Sequence, residues 1–199
     1  MRISDDRYSR DRLRLDLALR FIHHEARTHT IRAWTGLTDD RIRKLYRTYL
    51  YESDGSGVAR HRGKSPRQAA FFTRSQRMRR EAAVFASVSS LFGLITRESM
   101  MLERRAEAAP NVVRGALLCE AFETYRALVG EPQISFEHAV FLLAALQAGD
   151  ELRVAHCRDC SGVLVTDRLA LRTPVCYDCA SVAPAHGADA GPGANPAPA

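Results

Sequence analysis

Residues 135–179, SFEHAVFLLAALQAGDELRVAHCRDCSGVLVTDRLALRTPVCYDC, hold the change of structure on which the fold turns. Ser135 is a natural N-cap, and the run FEHAVFLLAALQAG that follows it, residues 136–149, is apolar nearly all round, which predicts a helix. Alternation then takes over at ELRVAHC and GVLVT, the two places where strands are expected. Around them stand Cys157-x2-Cys160 and Cys176-x2-Cys179, with fifteen residues between the pairs. Each CxxC turn aims two thiolates at one point, and two such turns supply a closed tetrahedral sulfur shell for one structural Zn2+. Soft sulfur donors favour zinc or an iron–sulfur cluster over hard cations. Paired redox dithiols and ordinary buried cysteines would also fit the spacing. Gly162 suits the tight turn of the first knuckle. Arg153, Arg158, Arg168 and Arg172 are placed to offset the charge of about −2 that four thiolates leave around Zn2+. Cys119, in GALLCEAFETY, reads as a core residue.

Upstream of Ser135 the periodicity is helical. Pro110 starts a helix through Tyr125 and Leu128 that Gly130 and Pro132 end. Thr73 to Arg97 predicts a long core helix, Arg-rich at first and then apolar at Val84, Phe85, Val88, Leu91, Phe92 and Ile95. Ser65 and Pro66 open a helical turn after a mobile basic loop, ESDGSGVARHRGKS, over 52–65. Residues 12–26 form an amphipathic helix with Leu13, Leu17 and Phe21, and beside them Leu15, Ala18 and Ile22, on its apolar side. Arg14, Arg20 and His24 take another face. The Ala/Pro/Gly stretch 181–199 has almost nothing to bury and is expected to be a disordered tail. The fold expected is therefore mainly α: a helical domain over 1–150, a four-cysteine zinc module over 151–180, and the tail.

Five cysteines without an export signal point to reduced thiols or metal ligands, not a disulfide framework. No apolar run is long enough for a spanning helix or a secretory leader, so a cytoplasmic protein without membrane attachment is expected. The net charge of +6 hides an asymmetry: the first 80 residues carry 20 Lys+Arg against 9 Asp+Glu, and the remainder 9 against 14. A basic half joined to a mildly acidic half points to a polyanion at one end and to folding or protein contacts at the other.

Residues 28–50, THTIRAWTGLTDDRIRKLYRTYL, carry the pattern of a helix-turn-helix. Ile31 and Trp34 belong to a first helix stopped by Gly36; Thr38 caps a second, with Asp39 and Asp40 in its first turn and Ile42, Leu45 and Tyr49 facing inward. Arg41, Arg43, Lys44 and Arg47 are left on its outer faces, where arginine forks match guanine edges and phosphates. With the loop cations Arg60, Arg62 and Lys64, these are the candidate DNA-binding residues. The plain alternative is two core helices with solvated arginines, and Arg32 occupies a place where a small residue often allows close packing. His23, His24 and His29 lack ligand spacing and read as solvated or hydrogen-bonding groups.

Taken together, ALRFIHHEARTHTIRAWTGLTDDRIRKLYRTY, SPRQAAFFTRSQRMRREAAVFA, ALLCEAFETYRAL, HAVFLLAALQAGDELRVAHCRDCSG and VCYDC resemble the bacterial flagellar transcriptional activator FlhC family over about residues 10–180. The resemblance implies a zinc-containing, mostly helical subunit that works with the partner FlhD in a heterohexamer of two FlhC and four FlhD chains. It implies binding to double-stranded promoter DNA of flagellar operons and activation of transcription, which brings RNA polymerase in as a further partner. By position, Cys157, Cys160, Cys176 and Cys179 match the family's zinc ligands. The 98–110 segment and the tail depart from the family's pattern. Two other functions fit the sequence: an assembly scaffold with DNA contacts mainly on FlhD, and an RNA-binding zinc protein. An enzyme is not expected, since neither a nucleophile–base arrangement nor an open metal site can be named.

Overall fold

The computed structural model describes residues 2–50, 61, 63, 65–95, 110–171 and 174–182. Among the described residues, eight helices and one hairpin follow in order: α1 Arg2–His23, α2 Thr28–Thr35, α3 Asp39–Leu50, α4 Ala70–Thr73, α5 Gln76–Leu91, α6 Val112–Val129, α7 Phe136–Ala148, β1 Leu152–His156, β2 Val163–Asp167 and α8 Tyr177–Val182. The fold is mainly α, as expected, and among the described residues no helix is long and apolar enough to cross a membrane.

Helix α1 stops three residues before the periodicity predicts. Glu25 takes a left-handed φ of 59°, its N–H donates to Ile22 O, and the Ala26 N–H donates to Phe21 O at 2.9 Å. This is the reciprocal pair of a Schellman motif, built on glutamate where glycine would have announced it. Leu17, Ala18, Phe21 and Ile22 are buried, but Leu13 is 57% exposed, one turn beyond the edge of the packed face.

The junction of α1, α2, α6 and α7 is aromatic. Phe21 lies 4.8 Å from Phe136 edge-on and 6.0 Å from Trp34. Helix α6 reaches this layer through Gly115, where a Cβ would sit 2.6 Å from a Leu17 methyl and 3.3 Å from the Trp34 ring. Asn111, not Pro110, opens α6, accepting the Arg114 N–H at 3.0 Å. Ser135 caps α7 as its sequence requires, and Gly149 closes it.

The helix predicted over Thr73–Arg97 is shorter at both ends. Ser75 breaks away into an extended conformation and caps α5 by accepting from Met78 N, so the short α4 stands apart. Helix α4 begins at Ala70; Ser65 and Pro66 precede it in irregular structure. At the other end Leu91 closes α5 and is 85% exposed, while Leu94 and Ile95 return to the core through N–H bonds to Ser89 O.

Glu81 fixes the α6–α7 turn against α5. Its buried carboxylate accepts from the Tyr125 hydroxyl, Gln133 N–H, Ile134 N–H and Arg77 Nε. Burial alone would raise its pKa; these four donors outweigh burial and hold it below the usual carboxylate value.

Strands β1 and β2 pair antiparallel, Leu152 opposite Asp167 through His156 opposite Val163. Leu152, Val154, Val163 and Val165 share the face turned to the helices, where β2 packs on α5 and β1 on α7. Leu152 and Val165 thereby join the same core cluster as the aromatic residues.

Candidate metal centre and basic helix

The hairpin ends at the first cysteine knuckle. One step beyond the last strand pair, the Cys157 N–H donates to Gly162 O at 2.8 Å, and the turn closes through Ser161 N–H to Cys157 O. Gly162 lies in this turn as expected, while its left-handed residue is Ser161, φ 59°. Glycine at 162 answers a different need: a Cβ there would stand 3.3 Å from Cys160 Sγ. The second knuckle is laid against the first by Arg158 N–H to Pro174 O, and α8 then carries Cys179 back toward the cluster.

The four Sγ atoms of Cys157, Cys160, Cys176 and Cys179 lie within 4.8 Å of one another, and Cys160 Sγ is 3.7 Å from Cys176 Sγ. Four sulfurs about 2.3 Å from a tetrahedral zinc stand roughly 3.8 Å apart, so the spacing is that of a ligand shell. All four cysteines are free thiols. Backbone N–H groups point at the sulfurs, Cys176 to Cys157 Sγ at 3.2 Å and Cys179 to Cys176 Sγ at 3.3 Å. The first of these heads the causes that hold the Cys157 thiol down at about 6, whereas the neighbouring Cys176 and Cys160 sulfurs push the Cys179 thiol up. Sulfurs this close do not all ionise without a cation among them. This cysteine group can hold a metal ion.

The arginines expected to offset the sulfur charge are mostly engaged elsewhere. Arg158 Nε bonds Asp159 at 2.9 Å, Arg153 donates to Ala170 O, and Arg168 donates to Gly149 O and faces Asp150. Arg172 lies outside the described residues. The backbone N–H bonds, with Arg158 interacting with the charge of Cys157, are thus the neutralising groups at the cluster. A contact the sequence did not announce joins the module to the body: Arg80 of α5 pairs with Asp178 and lies over the Tyr177 ring at 5.4 Å. It bridges a cleft of 1570 Å³ between α5, the end of α6 and the module.

Helices α2 and α3 meet at Gly36, whose φ of 70° and N–H bond to Arg32 O end α2. Thr38 caps α3 through a long bond from Arg41 N, 3.4 Å. Ile31, Trp34, Leu37 and Ile42 are buried, and Leu45 is partly so. Tyr46 turns inward, its hydroxyl donating to Ala26 O, while the side chain of Tyr49 lies outside the described residues. Arg41, Arg43, Lys44 and Arg47 are all exposed. Arg43 pairs with Asp40 at 2.9 Å and Arg41 faces Asp11 at 3.8 Å, while Lys44 and Arg47 have no ion-pair partner among the described residues. Arg60, Arg62 and Lys64 lie outside the described residues.

The other candidates fall into structural roles. Cys119 is fully buried, and burial pushes its thiol up to about 12. His24 stacks on Phe136 and bonds Glu123 at 2.9 Å, and burial lowers its pKa. His29 bonds Ser65. Comparison of the chain with known protein families and with curated proteins gave no match.

Proposed function

We propose that this chain is a zinc-holding, DNA-binding subunit of the FlhC type, acting with FlhD in a heterohexamer of two FlhC and four FlhD chains at the promoters of flagellar operons. The observation that carries this reading is α3, a helix anchored by Ile42 and Tyr46 that turns Arg43, Lys44 and Arg47 to solvent after the Gly36 turn. That is the arrangement a helix needs to enter a major groove while its neighbour stays in the core. Zinc suits a closed shell of four thiolates, and it fixes the second knuckle and α8 without taking part in chemistry. RNA polymerase is the further partner that activation requires, and the cytoplasm is where a reduced four-cysteine site persists.

The test is to coexpress the chain with FlhD and to determine complex mass, metal content and binding to a flagellar promoter on one sample. Replacing Arg43, Lys44 and Arg47 together with Gln is expected to weaken promoter binding at least tenfold, with metal content and assembly unchanged. Undiminished promoter binding would move the DNA surface away from α3. A second reading, in which the chain mainly organises the complex and FlhD carries most DNA contacts, draws on Tyr8 and Leu13, 73% and 57% exposed on α1. Phosphate crosslinks falling almost wholly on FlhD would favour it. Competition by single-stranded RNA stronger than by duplex DNA would instead favour an RNA-binding zinc protein.

A further inference from the structure

No aspartate or glutamate occurs between Gly55 and Arg80, a stretch that holds eight Lys and Arg residues. Arg60, Arg62 and Lys64 lie outside the described residues. Arg77 and Arg80 are committed, the first to Glu81 and Glu131 O, the second to Asp178 and the Tyr177 ring. Three remain at the corner where α4 meets α5: Arg67, Arg74 and Arg79, all exposed and none with an ion pair among the described residues.

Contacts join these three into one surface. The Arg74 guanidinium lies over Phe71, 4.4 Å from its centroid, and Phe71 stacks on His138 at 4.1 Å. Arg67 borders the same spot, lining a depression of 280 Å³ with Phe71 and His138. Arg79 Nε donates to Thr73 O at 2.8 Å, beside Arg74, which leaves its terminal amino groups outward. Ser75 opens α5 between them, so the positive end of that helix adds to the cations. The His138 ring records this field: burial first, then Arg74 and Arg27, lower its pKa. Two of the three guanidiniums are already held in place, which reduces the ordering entropy a partner would otherwise have to meet.

We infer that the α4–α5 corner, through Arg67, Arg74 and Arg79, is a second contact of this chain with the phosphate backbone of duplex DNA, separate from α3. The depression is at the lower limit of small-ligand pockets, about 300 Å³, whereas three spaced guanidiniums match a repeating polyanion. The Phe71 ring is already engaged by Arg74 and by His138, so it is not free to stack on an unpaired base, as single-strand binding requires. The contact is therefore with phosphates and carries no base readout. It rests on the DNA-binding reading above, and it has its own test.

Affinity of the metal-loaded chain, coexpressed with FlhD as above, for a 30-base-pair duplex is measured as a function of salt, for the wild type, R67Q/R74Q/R79Q, R67K/R74K/R79K and R43Q/K44Q/R47Q. Loss of three phosphate contacts is expected to reduce the slope of log affinity against log salt by about 2.7 in the Gln corner variant. The Lys corner variant keeps the charge and should keep the slope. The single R67Q, at an exposed side chain with no ion pair among the described residues, reads the same effect at about 0.9 should the triple variant fold poorly. A corner slope unchanged while the α3 variant loses affinity overturns the corner contact and leaves the DNA reading standing. A corner slope that falls while the α3 variant binds normally supports the corner and removes α3. A wild type that does not bind duplex DNA ends both, and tighter binding to single-stranded RNA, lost equally in the corner variant, overturns the duplex assignment.

Discussion

The helical body and the C-terminal module are held by different means. The body buries Phe21, Phe72, Phe85, Tyr125 and Phe136 with a dense aliphatic shell, each large ring removing apolar area on the scale that makes a core self-sufficient. Among the described residues, the module contributes only Leu152, Val165 and Cys157 as buried side chains. So little apolar surface does not offset the chain entropy of ordering two knuckles and a helical turn. Its shape rests on four sulfurs and on the docking of β2 and α8 against α5. On the zinc reading proposed above, the chain divides its stability between area and ligation, and the two parts should fail separately.

Removing the metal is the severest way to break that division. Sulfur-bound structural zinc contributes on the order of 10 kcal/mol to small modules. Chelation, or Cys160→Ser, is therefore expected to abolish amide protection over the knuckles and α8, residues 157–162 and 174–182, while α1, α6, α7 and the core-docked hairpin keep theirs. Hydrogen exchange read by mass spectrometry checks it, and simultaneous loss of protection in the body would show that the two parts are one cooperative unit. The complementary cut is Phe21→Ala, which empties a fully buried site between Trp34 and Phe136. A loss of about 3–5 kcal/mol in the body is expected, measured by denaturant unfolding, with metal affinity of the folded chain unchanged.

Where side-chain chemistry and backbone geometry agree, the fold was legible. Ser135 opens α7, Gly36 stops α2, and the alternation at ELRVAHC and GVLVT produces β1 and β2. The cysteine grouping followed from spacing alone, because two CxxC turns can converge without any knowledge of what lies between them. Boundaries failed where the local signal was borrowed by an untypical residue. Glu25 does a glycine's work after α1, and Ser161 takes the left-handed position beside an available glycine. Ser75 cuts the predicted Thr73–Arg97 helix near its start, because its hydroxyl satisfies a helix start inside what reads as a helix. The α4–α5 basic corner escaped notice because charge in a sequence does not show which arginines are spent on Glu81, Asp178 and carbonyl oxygens.

Glu81 sharpens the comparison from the side of the body, which holds a buried carboxylate as well as apolar rings. Glu81→Gln removes the charge that Tyr125, Gln133 and Ile134 donate to, and a loss of about 2 kcal/mol is expected at neutral pH. The folded pKa of Glu81 is lowered, so its contribution is present above the usual carboxylate range and is lost as pH falls through the folded value. The gap in unfolding free energy between wild type and Glu81→Gln should therefore be constant near neutrality and close in acid. A gap that persists unchanged in acid would mean that the carboxylate is not the charged acceptor at this turn.

The smallest effects separate the two regions most cleanly, because one substitution, glycine to alanine, can be made at a close approach in each. At Gly115 the new methyl meets Leu17 at 2.6 Å and the Trp34 ring at 3.3 Å, inside packed helices. Overpacking of this kind costs about 2 kcal/mol and should appear in the melting of the body, with metal affinity untouched. At Gly162 the methyl meets a single atom, Cys160 Sγ at 3.3 Å. A free thiol can swing aside by the few tenths of an ångström required, but a sulfur fixed in a tetrahedral shell cannot do so without lengthening a metal bond. Gly162→Ala should accordingly weaken metal binding by about 1 kcal/mol, roughly fivefold in competition with a chromophoric chelator, and leave the melting of the body alone. If Gly162→Ala instead lowered the body's melting temperature and bound metal normally, the knuckle would be held by packing, and the division between area and ligation would be lost at its most sensitive point.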